Sequence, residues 1–227
     1  MTRALIVLSS HEQLGDTGRT TGFYLPEAAH PYKVFSEAGW TVEFVSPQGG
    51  KPPMDGVDLS DPVQQAFLDD PQIAATLTAT STPDHIDPGD YDVIFYAGGH
   101  GSMWDFPDNT RLAEVAAQMY EAGGVVAAVC HGPAALINVR LSDGAYLIDG
   151  RAVAAFTDDE ERAVGLAQVV PFLLQTRLTD RGARHTGAPN FKPHVVADDR
   201  LITGQNPASA TGVAERIVAL IRSRASA

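Results

Sequence analysis

Short, almost uninterrupted apolar runs recur along the chain, at Ala4 to Leu8, Val42 to Val45, Val93 to Tyr96, Val125 to Val129, Ala152 to Phe156 and Leu201 to Thr203. Runs of that length, rich in aliphatic and β-branched residues and lacking polar alternation, read as strands buried on both faces. Amphipathic stretches lie between them and predict helices at about 26 to 38, 110 to 122, 132 to 138, 160 to 182 and 208 to 224. Gly39 and Gly123 stand where helix ends favour a residue tolerant of positive φ. Strands alternating with helices predict an α/β fold, a three-layer sandwich in which a mostly parallel sheet carries helices on both faces.

Residues 47 to 90 break this rhythm with PQGGKPP, DLSDP and STPDHIDPGD around one apolar stretch. Proline, glycine and aspartate at that density predict an excursion with one short helix. It reads either as a surface insertion or as a lid over the carboxyl ends of the strands, where open α/β sheets bind ligands. With 227 residues, the chain from 1 to 227 fits a single domain.

Composition narrows the function. Sixteen basic against 28 acidic side chains give a net charge of -12, which argues against nucleic acid and anionic membrane surfaces as partners. No apolar run is long enough to span a bilayer, and the first residues lack the core of a signal peptide, so a cytoplasmic location is expected. The single cysteine, Cys130, leaves no intrachain disulfide. His11, His30, His85, His185 and His194 form no ligand pair beyond an H-x-D at His85 and Asp87, so no metal is expected, and with neither G-x-G-x-x-G nor G-K-[ST] spacing met no nucleotide cofactor is expected.

The chemistry concentrates at the ends of two strands. Val125 to Val129 runs straight into Cys130, after which Gly132 and Pro133 open a helix. A strand, a tight turn and a helix project a nucleophile from the sheet edge, and a helix N-terminus favours thiolate. Position 128 is alanine where a full G-x-C-x-G elbow would have glycine. After Val93 to Tyr96 come Gly98 and Gly99, whose amides can approach a ligand closely. The amides of Gly99 and His131 are therefore candidates for an oxyanion hole. Glu27 opens the helix after the first strand, and Asp158, Asp159, Glu160 and Glu161 cluster after the run ending at Phe156. One of these carboxylates reaching His131 would complete a nucleophile, base and orienting acid.

The AVCHGPAAL elbow, the AGGHGSMWDFP loop, the TGFYLPEAAHPY segment and NPASA at 206 to 210 together resemble the ThiJ/PfpI family of the class I glutamine amidotransferase-like superfamily, and within it the heat-inducible chaperone and glyoxalase III group. The resemblance implies a flavodoxin-like sandwich with Cys130 as nucleophile, His131 as base, Glu27 as a carboxyl bonded to the thiol and Glu161, ahead of Glu160, as the triad acid. Gly99 and His131 would supply the oxyanion amides, and His100 a substrate contact. It further implies a homodimer and a glutathione-independent glyoxalase, a lyase of the D-lactate dehydratase type that converts methylglyoxal to lactate through a cysteine hemithioacetal. The alternatives are a stress-related holdase chaperone, or a cysteine peptidase or amidase of the same superfamily. Because a carboxylate beside a thiolate is repulsive, Cys130 is expected as the anion and Glu27 as the proton holder.

Overall fold

A computed structural model describes residues 1–225. Its elements are β1 (Arg3–Val7), β2 (Phe23–Tyr24), α1 (Pro26–Glu37), β3 (Thr41–Val45), β4 (Met54–Asp55), α2 (Pro62–Asp69), α3 (Pro71–Thr78) and β5 (Val93–Tyr96). There follow α4 (Ser102–Asp105), α5 (Thr110–Glu121), β6 (Val125–Val129), β7 (Ala152–Val153), α6 (Asp158–Ala163), α7 (Leu174–Asp180), β8 (Arg184–His185), β9 (Val195–Asp198), β10 (Leu201–Gly204) and α8 (Ala210–Ala225). The central sheet has the order β3-β1-β5-β6-β10-β9, parallel except for β9, which pairs antiparallel with β10. The expected mostly parallel sandwich is thus the observed fold.

Two cores explain why the strands are apolar throughout. Leu5, Val7, Ile94, Tyr96, Val126 and Ala128 join α5 and α7 on one face. Their chain neighbours Ala4, Ile6, Val93, Phe95, Val125 and Ala127 join α1 and α8 on the other. Because successive strand residues point to opposite faces, only a continuous apolar run can fill both layers.

Three expected elements come out differently. The stretch 160 to 182 is two helices, α6 and α7, because Gly165 at φ +76° ends the first and Pro171 has no N–H to continue it. Of Ala152 to Phe156 only the first two residues form a strand, and it pairs with β8 outside the central sheet. After Cys130 the chain makes a five-residue 3₁₀ turn, Gly132–Leu136, in place of the expected α-helix.

The excursion, expected to hold one short helix, holds two α-helices, α2 and α3, because Asp70 is extended ahead of Pro71; the side chains of Asp61 and Asp70 N-cap them. It runs along the outer edge of β3: Ser46 N–H donates to Ser81 O (3.1 Å), and the Ser46 and Thr80 hydroxyls share a buried hydrogen bond (2.7 Å). Elsewhere it packs on α1 and α5.

Candidate active site

Cys130 leaves the C-terminal end of β6 with φ +59°, in the left-handed region that a residue with a Cβ avoids. Both sides of its peptide are pinned: its N–H donates to Gly204 O, and its carbonyl accepts from Phe156 N–H, each at 2.9 Å. The strain is therefore held by neighbouring segments, as in a nucleophile elbow. Gly132 fits the turn because a Cβ there would lie 2.3 Å from Tyr96 O.

Three expected residues meet around this thiol. The Cys130 Sγ lies 3.3 Å from His131 Nδ1. His131 Nε2 lies 2.7 Å from Glu161 Oε2, and His100 Nε2 lies 2.9 Å from Glu161 Oε1. Burial pushes the Glu161 carboxyl up, but hydrogen bonds from His100 and His131 outweigh it and hold the group at about 2. Burial and the neighbouring His100 drive His131 down to about 4, against the upward pull of Glu161. Near neutrality Glu161 is an anion that can only accept, so His131 donates from Nε2. Its Nδ1 then carries a lone pair toward the Cys130 S–H.

Glu27 completes the constellation from the first turn of α1, where it is fully buried. Its Oε2 accepts from Gly98 N–H at 2.7 Å. Gly98 admits this approach because a Cβ there would come within 2.3 Å of that oxygen. Burial raises Glu27 to about 8, although the thiol and the Gly98 amide favour its charged form. Glu27 is thus the proton holder, as expected. Cys130 differs from expectation: burial and the adjacent Glu27 push the thiol well up, and the opposing His131 N–H does not reverse this. The 3₁₀ turn gives no α-helix dipole to lower it, so the resting group is a thiol with a base beside it.

A cavity of about 330 Å³ opens onto Cys130, His131, His100 and Gly99. Of residues 47 to 90 only Asp55 lines it; the rest of its wall comes from Tyr24, Phe156, Leu166, Phe191 and their neighbours. A larger cavity of about 950 Å³ lies between Phe23, Lys51 and α3 and does not include Cys130. His100 both faces the cavity and stacks on His131, with ring centroids 4.1 Å apart. Donor atoms of His100, His131 and Glu161 lie within 4.8 Å of one another, a cluster that can hold a cation. Both Nε2 atoms, however, already donate to Glu161, and a cation would have to displace both protons.

Glu160 does not reach His131. Its Oε2 accepts from Thr157 N–H and Thr157 Oγ1, closing a capping box at the start of α6. The T-x-x-E spacing of Thr157 and Glu160 is the sequence signal for that arrangement, and it would have freed Glu161 for the triad. Phe191 carries no comparable signal, since its loop has no periodicity.

The profile of the DJ-1/PfpI family matches residues 20–220. The glutathione-independent glyoxalase HSP31 of Saccharomyces cerevisiae is 33% identical over 235 residues, covering 95% of this chain and 96% of that protein. Glyoxalase 3 of Candida albicans is 32% identical, covering 96% and 98%. Among solved structures, the Rapid Encystment Protein 24 kDa of Francisella tularensis superposes with a TM-score of 0.94 at 36% identity, covering 97% and 99%. Glyoxalase III from Candida albicans gives 0.89 at 29% identity, covering 96% and 97%. The motif resemblance, the fold and these full-length similarities agree, and the chain belongs to the DJ-1/PfpI family.

Proposed function

We propose that this protein is a glutathione-independent glyoxalase that converts methylglyoxal to lactate with Cys130 as nucleophile. The observation that carries the reading is the strained elbow thiol 3.3 Å from a neutral imidazole whose far nitrogen is bound by an ionised carboxylate. The full-length similarity to glutathione-independent glyoxalases supports the same chemistry.

The reaction begins when Cys130 Sγ attacks the aldehyde carbon while its proton passes to His131 Nδ1, and Glu161 stabilises the imidazolium. The oxygen of the resulting hemithioacetal lies against the amides of Gly99 and His131 and takes that proton. His131, neutral again, then removes hydrogen from the former aldehyde carbon, and the electron pair forms an enediol. Protonation at the former ketone carbon leaves the thioester of lactate. Water attacks the thioester, releasing lactate and restoring the thiol. One carbon is oxidised and its neighbour reduced, so no external oxidant or reductant enters the balance.

Purified protein incubated with methylglyoxal in thiol-free buffer should form lactate, and Cys130→Ala should reduce the rate by about a thousandfold or more. Lactate formation by the variant at a tenth or more of the parent rate would sink this reading.

A further inference from the structure

Glu160 is a fully buried carboxylate that the proposed mechanism leaves unused. Beyond its cap on α6, its Oε1 accepts from Phe191 N–H (2.7 Å) and from Asn206 Nδ2 (2.9 Å). Asn206, itself buried, also donates to Lys192 O at 2.7 Å. Three residues earlier in the same loop, Gln205 accepts from Ala188 N–H at 2.8 Å and donates back to Ala188 O at 3.2 Å. Three buried polar side chains thus staple an irregular surface loop that leads from β8 toward β9.

What they hold in place is an aromatic ring. Phe191 has φ +62°, unfavourable for any residue with a Cβ, and needs an external restraint to keep it. The side chain is 49% exposed, so core packing does not explain its position. It lines the Cys130 cavity, beside Phe156 at a centroid distance of 6.4 Å, and Phe156 in turn lies 4.4 Å from His131. The exposed Val164 lines the same opening. A strained, half-exposed ring secured by a buried carboxylate at the mouth of a nucleophile's cavity has the properties of a selectivity element.

We propose that Phe191 is a specificity-determining residue, a size gate that admits small free dicarbonyls to Cys130 and obstructs bulky or chain-borne carbonyl groups, and that Glu160 is the positioning residue that holds it. The substrate class rests on the glyoxalase reading above, whereas the gate concerns access to the thiol whatever the reaction.

Because Cys130 is the only cysteine, its alkylation can be followed without interference. Rates with iodoacetamide and with N-(1-pyrenyl)maleimide, taken at one near-neutral pH, measure access for a small and a bulky electrophile. Phe191→Ala should raise the bulky-to-small rate ratio roughly tenfold, the size of selectivity a lost apolar wall contact gives, and Phe191→Leu should raise it less. Glu160→Gln should also raise the ratio, since the amide cannot accept from both the Thr157 and Phe191 N–H groups. Should that variant not accumulate, Asn206→Ala removes a second anchor of the loop. An unchanged ratio in Phe191→Ala, or equal acceleration of both reagents, would overturn the gate. A raised ratio in Phe191→Ala with none in Glu160→Gln or Asn206→Ala would overturn the positioning role. Failure of the unmodified protein to form lactate, with the ratio responding as expected, would count against the glyoxalase reading alone.

Discussion

Two acidic residues adjacent in sequence have been given unlike work by one turn of helix. Glu161 faces His131 and His100, whereas Glu160 is committed to Thr157, Phe191 and Asn206. Glu161→Gln leaves the imidazolium without a counter-charge, so kcat for lactate formation should fall about a hundredfold or more, by analogy with triads that lose their acid. Glu27 yields a different signature. With its carboxyl raised to about 8, deprotonation at higher pH places a negative charge beside the sulfur that must attack. The rate should therefore decline as pH rises through about 8, and Glu27→Gln should abolish that limb while lowering the plateau; a pH profile of kcat/KM for both proteins checks it. The positions of Cys130, His131 and Glu27 are legible in the sequence because each stands at a strand or helix end. The thiol's protonation is not, since it depends on burial supplied by distant segments and on a turn that is 3₁₀.

At the level of elements, the site is made where β5 and β6 end side by side and α1 delivers Glu27 across them. The glycine after β5 is the joint. Gly98→Ala would drive a methyl group to 2.3 Å from Glu27 Oε2 and 2.7 Å from Val129 O. The carboxylate or the end of β6 must move, so chemical denaturation should show a loss of about 1–3 kcal/mol, with lactate formation falling in parallel. The buried strands β1, β3, β5, β6 and β10 are legible as apolar runs because they fill two cores. The break between α6 and α7 is masked: Gly165 and Pro171 mark it, but Val164, Leu166, Val169 and Val170 continue an apolar pattern across it. The clamp on Phe191 joins residues from α6, the loop after β8 and the segment after β10, and no local pattern records such a meeting.

For the molecule as a whole, the buried carboxyl of Glu27 links function to stability. Its folded value of about 8 lies above the ordinary 4.5, so the folded state holds a proton that the unfolded chain releases. Its contribution to stability is fully present below about 4.5 and is lost as pH rises through about 8. Thermal unfolding of Glu27→Gln should accordingly gain on the parent across that window, by a few kcal/mol at the alkaline end, and a constant difference from pH 4 to 9 would contradict the assignment. His131 acts from the other side: held neutral down to about 4, it withdraws stability as pH falls below the ordinary 6.5. Among the described residues no helix is long and apolar enough to cross a membrane, and the exposed large apolar side chains, Met1, Val57, Leu59, Val164 and Phe191, are few. A last consequence attaches to the segment along β3. Strand β3 ends the central sheet, and the contacts of Ser46 with Thr80 and Ser81 occupy the end of a backbone ladder that would otherwise face water. An uncovered ladder is a template on which another chain can lay a strand. Excising the segment would bare that end of the sheet to pairing with other chains, and its deletion should show first in light scattering.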